Sequence, residues 1–458
     1  MMKFYLSIII FLSLVFSSNS RADLLSATLE YNKGNYLSSY QEFHRLAQLG
    51  NRDAIFNIGV MYLHGQGVEK NLTSAHSWFL LAADFGVDEA RSAARLIEVE
   101  VDDQEGLDRD YQLLNQKFSY TIFSRDLQPI FSPIQYNDDK QPKRTYTLDA
   151  KYPQEAYEQG QEGWVWLDFD IDQSGAVKDV EILDSFPDNT FNRAIYNAVR
   201  RWRYEPYMVN GKAQIYRNRS LIYHFTTFKG KRYQESFASQ KREYQKKINQ
   251  LIDSAEQGNA IVQYYIANWM IADEHNATRL LKFHWSDDNA GSQLLLSSAS
   301  NGYSNSQYRL GSSLLRGEYT QASRQKGLNW ILLAAQGGFI HAQYRLAREL
   351  LDRQHVEFDQ EKSQRWMKAA ADNGHFRAIR DLVNQGIDAK DFTSSLHYLK
   401  LGLKQDDSHP DLLLAQAKIF KHQGQHALAV KKAQQALKEA KDRGWYTQEI
   451  SQYLQSLN

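Results

Sequence analysis

Between Gly163 and Phe225 the chain changes its hydrophobic period twice. Val165, Leu167, Phe169 and Ile171 recur at every second position, the alternation of a strand with one buried face. Asp172 to Gly175 supplies turn residues. A second apolar stretch holds Val177, Val180 and Ile182; Val177 is out of phase with the other two, which predicts a late strand start or a bulge. Phe191, Ala194, Ile195, Ala198, Val199 and Trp202 then fall on one helical face, and Asp188, Asn189 or Thr190 can cap its start. Pro206 and Gly211 break the chain before a last strand, from about Ala213 to Phe225. The predicted core is Val165, Leu167, Phe169, Phe191 and Trp202, with one long helix ending at Trp202 over the sheet. Asp168, Asp170 and Asp172 alternate with the apolar residues, so they are expected on the solvent face of the hairpin. Trp164 and Trp166 also point away from this core; they either cover neighbouring helices or mark a partner surface.

On both sides the period is helical and repetitive. Tyr31, Gly34, Tyr36, Tyr40, Phe43 and Leu46-Ala47 resemble a tetratricopeptide-type helix pair. Gly50, Ala54, Gly59, Tyr62, Gly65-Gln66-Gly67, Ala75, Trp78 and Ala82-Ala83 resemble, in order, the Sel-one-like repeat, a relative of that unit. After the centre, Gly258, Gly302, Gly338 and Gly374 are spaced 44, 36 and 36 residues apart. Gln263-Tyr264, Gln307-Tyr308 and Gln343-Tyr344 follow three of these glycines, and Trp78, Trp330 and Trp366 precede Gly86, Gly338 and Gly374 by eight positions. Small residues such as Ala342 and Ala378 let helices approach and the aromatics fill the space between repeats. The 44-residue spacing predicts an insertion of about eight within Glu274–Gly291. Leu413, Ala417, Phe420, Gly424, Ala429 and Ala436 match a tetratricopeptide unit, giving two helix pairs between Asp391 and Asn458.

The central stretch resembles the C-terminal domain of TonB proteins. The resemblance is carried by Tyr152-Pro153, Ala156, Gly160 and Gly163, the alternating strand, Asp172-x-x-Gly175-x-Val177 and Ser185. Phe191, the paired alanines, Trp202-Arg203-Tyr204, Pro206 and Asn210-Gly211 complete it. It covers about one sixth of the chain. The resemblance implies a three-stranded antiparallel sheet with helices on one face. It also implies a role in the Gram-negative envelope, where such a domain pairs with a short extended segment of outer-membrane transporters and passes on inner-membrane energy. Two departures count against direct energy transduction: the domain lies mid-chain, and no long Pro-rich spacer precedes it.

The expected architecture is mainly α: an α/α solenoid of Sel-like and tetratricopeptide-like repeats flanking a small α+β domain with a three-stranded antiparallel sheet. Its expected parts are a signal peptide at 1–22, repeats at 23–100, a linker at 101–144, the TonB-like domain at 145–228, Sel-like repeats at 229–388 and tetratricopeptide-like helices at 389–458. Lys3, the apolar run Phe4–Phe16 and Ser20-Arg21-Ala22 have the order of a secretory signal cleaved after Ala22. Its apolar run is shorter than the roughly 20 residues that span a bilayer. The rival reading is an uncleaved anchor in the inner membrane, facing the periplasm.

Composition removes several classes. Lys plus Arg and Asp plus Glu are both 54 over 458 residues, so no global field points to nucleic acid. There is no cysteine, which excludes disulfides, a lipoprotein anchor and thiolate metal sites. No G-x-x-x-x-G-K-[ST], H-E-x-x-H or G-x-S-x-G occurs. Asp168-x-Asp170-x-Asp172 begins like a calcium loop, but Gln173 replaces the required glycine and Asp179 the terminal glutamate. His64, His341 and His375 recur at repeat turns, which favours packing over catalysis. The reading is therefore a non-enzymatic protein without cofactor or metal. Its expected partners are envelope proteins: an outer-membrane transporter or TonB-system components. Arg193 to Lys247 holds fourteen Lys or Arg against three Glu, which adds an anionic envelope surface as a further partner. The expected binding edge is the last strand, with Arg217, Arg219, Leu221 and Tyr223 on one face and Tyr216, Asn218, Ser220, Ile222 and His224 on the other. Arg217 and Arg219 would blunt a free edge and select an acidic or polar segment, and reversing both charges is expected to leave folding nearly intact.

Overall fold

The computed structural model describes residues 23–131, 141–158, 160–226, 245–272, 276–317, 323–352 and 356–457. The expected signal at 1–22, residues 227–244 of the basic run, and residues 132–140 of the expected linker lie outside these. The chain forms two compact units, one of residues 137–295 with 374–458, the other of residues up to 136 with 296–373.

The second unit is helical. Its N-terminal part holds α1 (Leu24–Asn32), α2 (Tyr36–Gln48), α3 (Arg52–His64), α4 (Leu72–Asp84), α5 (Asp88–Glu100), α6 (Gln104–Phe118) and α7 (Tyr120–Asp126). The first part of the expected linker is thus two helices, α6 and α7; Asp103 and Ser119 cap their starts. Leu24 N donates to Gly337 O, Gln336 Nε2 to Gly50 O and Trp366 Nε1 to Leu127 O. These bonds tie the two sequence-distant repeat sets together within the unit.

The repeat positions have local causes. Gly50, Gly86, Gly258, Gly302, Gly338 and Gly374 hold φ between +77° and +89°, the left-handed turn that ends one helix before the next begins. The recurring glutamine has a specific task. Gln263, Gln307 and Gln343 each donate Nε2 to the carbonyl eight residues earlier, at Ala255, Ala299 and Ala335. The amide satisfies a carbonyl at the end of the preceding helix, and the tyrosine beside it is buried in every case.

The first unit contains β1 (Arg144–Tyr146), α8 (Gln154–Glu158), β2 (Gly163–Ile171), β3 (Val177–Phe186), α9 (Asn192–Val199), β4 (Arg203–Tyr204), β5 (Tyr207–Val209), β6 (Lys212–Gln214) and β7 (Tyr216–Phe225). A helix spans 245–256. α10 (Ala260–Ala272) and α11 (Asn276–His284) follow, then α12 (Ala290–Ser300), which crosses the boundary between the units. The second unit continues with α13 (Ser304–Arg316), α14 (Arg324–Gln336), α15 (Ile340–Asp352) and α16 (Gln360–Asp372). The first closes with α17 (Phe376–Asp388), α18 (Phe392–Gln405), α19 (Pro410–His422), α20 (His426–Arg443) and α21 (Gln448–Gln455). The stretch expected to carry the insertion holds the short helix α11.

The sheet is antiparallel in the order β3-β2-β7. Val165, Leu167, Phe169, Ile171, Phe191, Ile195, Val199 and Trp202 form one core cluster. Asp188 caps a 3-10 turn at Asn189–Phe191, and α9 ends at Val199. Trp202 therefore follows the helix rather than ending it; its Nε1 donates to Leu148 O at 2.8 Å, and Arg144 lies over its ring. Gly163 opens β2 because a Cβ there would run into the Phe186 carbonyl and the Phe191 ring. The expected last strand divides: residues 212–214 belong to a separate hairpin with β5, and β7 begins at Tyr216.

Every residue of β2 is buried, on both faces. The strand pattern is alternating rather than continuously apolar, yet its polar face does not meet solvent. Asp168, Asp170 and Asp172 are each at most 2% exposed. Trp164 meets Tyr264 and Tyr265 of α10 at 5.8 Å, and Phe186 meets Trp269 at 4.9 Å. Trp164 thus covers a neighbouring helix, and Trp166 is buried beside it with its Nε1 donating to Ser220 Oγ at 2.9 Å. Helices lie on both faces of the sheet, not on one.

Trp202→Ala is expected to destabilise the first unit by about 3–5 kcal/mol, the usual cost of removing a large buried aromatic. Urea melts of the full chain check this; a loss below about 1 kcal/mol contradicts the packing described.

Candidate functional site

Two features of the central domain stand out: a strand edge and a buried charged seam. β2 is the ladder partner of β7, which ends the sheet. Val165↔Tyr223, Leu167↔Leu221 and Phe169↔Arg219 share the face covered by α9, the helix side, whereas Trp164↔His224, Trp166↔Ile222 and Asp168↔Ser220 share the other, the seam side. Register slips between Phe169 and Ile171, where Ile171 opposes Tyr216, and Asn218 takes φ of 56°. This bulge changes the expected faces. Tyr216 joins the core side, and Arg217 turns to the opposite side, 3.5 Å from the Asp170 carboxylate. Arg219 stays on the helix side, where it donates to Gln141 Oε1. The two arginines therefore do not stand together. A bulge moves side chains by one place, and period-two counting cannot detect it.

At the opposite edge, β3 is committed to helices of its own unit. Its side chains meet the N-termini of α17 and α19. Arg377 Nε donates to Glu181 Oε2 at 3.1 Å, and Arg377 Nη1 to Asp170 Oδ1 at 3.0 Å and Asn218 Oδ1 at 3.1 Å. Arg380 pairs with Asp179 and Asp381, and Lys178 Nζ donates to Asp411 Oδ2 at 2.7 Å. His375 and His409 stand at the N-cap positions of α17 and α19. His375 Nδ1 accepts from Ala378 N, and its Nε2 lies 3.0 Å from Glu181 Oε2. His409 Nε2 lies 2.8 Å from Asp179 Oδ1. Helix N-termini favour nearby negative charge, so the acidic strand and these helix starts are complementary. Past α20, Trp445 Nε1 donates to Val177 O at 3.0 Å and Tyr446 N to Asp172 Oδ2 at 2.7 Å.

Two carboxylates of the seam are held in the charged form. Burial alone would raise Asp170, but Arg377, Arg217 and Arg380 and the N–H of Asn218 outweigh it and hold it below the ordinary range. Burial likewise opposes ionisation of Asp411, and Lys178, His409 and Arg380 together hold it well below that range. Burial pushes His409 down to about 3; Lys178 and Arg380 push the same way, against Asp411 and Asp406. Asp179, His409 and Asp411 bring ligand-type atoms together, but the Arg380 guanidinium already lies against Asp179, 3.9 Å from Asp411. A cation site there is filled by the protein's own charge.

The family models match the two sequence resemblances. The model described as Gram-negative bacterial TonB protein C-terminal matches residues 149–226, and the Sel1 repeat model matches 52–86, 304–339 and 340–375. Residues 149–226 form a TonB C-terminal-like domain. The chain is 46% identical over 65 residues to Protein TonB of Escherichia coli strain K12, covering 14% of this chain and 27% of that protein. It is 41% identical over 64 residues to Protein TonB of Yersinia enterocolitica, covering 14% and 25%. The chain thus spans about a quarter of the length of these TonB proteins. Among solved structures, it is similar to a protective antigen of uropathogenic Escherichia coli with an SLR fold, at 17% identity and a TM-score of 0.34, covering 89% of this chain and 67% of that one. A Sel1 repeat protein from Oxalobacter formigenes matches at 16% identity and a TM-score of 0.36, covering 44% and 82%. The TonB C-terminal domain here has its acidic sheet face and its β3 edge joined to helices of the same chain. Both matched families are non-catalytic.

The His409 position gives a pH prediction with a definite sign. Its pKa in the folded chain lies below the unfolded value near 6.5, so the unfolded state binds the proton first. Stability is full above about pH 6.5 and falls as pH drops from there towards 3, by at most about 1.4 kcal/mol per unit. The depressed Asp170 and Asp411 add a further loss only below about pH 4. His409→Asn, which keeps a donor towards Asp179, is expected to flatten the limb between pH 4.5 and 6.5 in urea melts. An unchanged slope in the variant contradicts the assignment.

Proposed function

We propose that this is a non-enzymatic envelope protein, exported to the periplasm, in which Sel1-type repeats carry a TonB C-terminal domain that binds an extended segment of a partner. The partner is an envelope protein of the TonB-dependent transport system, bound by strand addition. The observation that carries this reading is the asymmetry of the two sheet edges. β3 is engaged by α17, α19 and Trp445, whereas β7 ends the ladder next to β2. Strand addition needs a row of main-chain donors and acceptors, with neighbouring side chains to select the sequence. Arg219, Leu221 and Tyr223 supply the helix-side neighbours, and Ser220, Ile222 and His224 the others. No helix of the described residues is long and apolar enough to cross a membrane, and the signal-like order of residues 3–22 supports export.

The arginines now have different roles. Arg219 is the selecting charge for a polar or acidic segment, and Arg217 neutralises Asp170. Arg219→Glu is expected to weaken partner binding tenfold or more with little loss of folding. Arg217→Glu sets a like charge beside a buried carboxylate that keeps Arg377 as its partner, and is expected to cost about 1–3 kcal/mol of stability. The test places a photocrosslinking residue at Tyr223 or Ile222 of the full chain in its native envelope, with Arg219 retained, and maps the linked partner residues by mass spectrometry. The expected result is one extended partner segment, with alternate residues captured from the two positions. Adducts obtained only from probes on the repeat helices would overturn the reading.

A further inference from the structure

The bulge at Asn218 is the one irregularity of the edge strand in its register with β2, and it is held from a distance of 159 residues in sequence. Asn218 adopts φ of 56°, a left-handed conformation that a non-glycine residue enters only when its surroundings require it. Three bonds supply the requirement. Asn218 N donates to Asp170 Oδ1 at 3.0 Å, Arg377 Nη1 donates to that same oxygen at 3.0 Å, and Arg377 Nη1 also donates to Asn218 Oδ1 at 3.1 Å. Arg377 is 1% exposed and lies in the first turn of α17, with its Nε on Glu181. Its planar guanidinium therefore joins β3, β2 and β7 at one point, a geometry that a single ammonium cannot reproduce.

We propose that Arg377 is a positioning residue for β7: it fixes the bulge, and so decides which side chains the edge strand presents on each face. The consequence follows from strand geometry. Loss of the extra residue from the ladder returns Tyr216 to the seam side and Arg217 to the helix side, because a one-place slip inverts every side chain beyond it. A helix of the C-terminal section thereby sets the recognition pattern of a sheet edge in the central domain. The consequence for a partner rests on β7 being the binding edge; the register itself can be read without any partner.

Hydrogen exchange of the full chain, followed by mass spectrometry of peptides within 214–225, is the test. Arg377→Met is expected to speed exchange of the 214–219 segment tenfold or more while 221–225 keeps its protection. Arg380→Met serves as the comparison. It removes a buried seam cation that bonds Asp179 and Asp381, not Asn218, so 214–219 should stay protected there. Unchanged exchange at 214–219 in Arg377→Met overturns the proposal. So does a uniform rise along all of β7, or an equal local rise in Arg380→Met, since either would mean general loosening of the seam. If Arg377→Met does not fold, Asn218→Gly takes its place. Glycine tolerates the positive φ but lacks the carboxamide that Arg377 holds. Faster exchange confined to 214–219 in that variant supports the link, and wild-type exchange overturns it.

Discussion

The pairing of Asp170 with Arg377 is the constraint on which the first unit depends. Both side chains are about 1% exposed, and neither charge can be left there alone. A carboxylate in the middle of a central strand needs a cation above the sheet, and that cation comes from a helix more than two hundred residues further along. Replacing such a pair by apolar residues can be neutral for stability, whereas removing one partner costs about 3–5 kcal/mol. What the pair supplies is geometry. Arg377 and Arg380 lie three apart on one face of α17, opposite Asp179 and Glu181 on β3, and this match sets how the helices lie on the sheet.

A TonB C-terminal domain placed in this way is part of a larger body. Its helix-side core of Phe191, Ile195, Val199 and Trp202 is self-contained. Among the described residues, its other face is covered by α10, α17, α19 and Trp445. Residues 145–228 alone would uncover Trp164, Trp166 and the three aspartates together. The repeats of this unit thus complete the sheet while leaving β7 at its end, which fits a scaffold that holds one binding edge in a fixed orientation.

Much of this was legible in the chain, and the failures share one cause. The strand, the helix and the core residues Val165, Leu167, Phe169, Phe191 and Trp202 follow from periodicity, because each depends on neighbours close in sequence. The repeat glycines follow from their spacing. Asp168, Asp170 and Asp172 were legible as one face, but whether that face meets water or a helix depends on residues 375–411, which no local pattern connects to it. Arg377 and Arg380 look like any exposed helical pair. The i, i+3 spacing of two arginines in the first turns of a repeat helix was the available signal, together with a histidine just before the helix start. The faces of Tyr216 and Arg217 were misread because the bulge has no glycine to mark it; asparagine, which is enriched among non-glycine residues at positive φ, gives only a weak cue.

The central claim is that the acidic, tryptophan-bearing face of the sheet is closed by helices of the same chain. Hydroxyl-radical footprinting of the intact protein, read residue by residue by mass spectrometry, tests it most directly. Trp164 and Trp166, at 0% and 1% exposure, should be as protected as the core Trp202, while Tyr146 and Tyr157, at 53% and 48%, are modified readily. Modification of Trp164 and Trp166 at the rate of those tyrosines, with Trp202 still protected, would mean that the face is open and that the seam does not form.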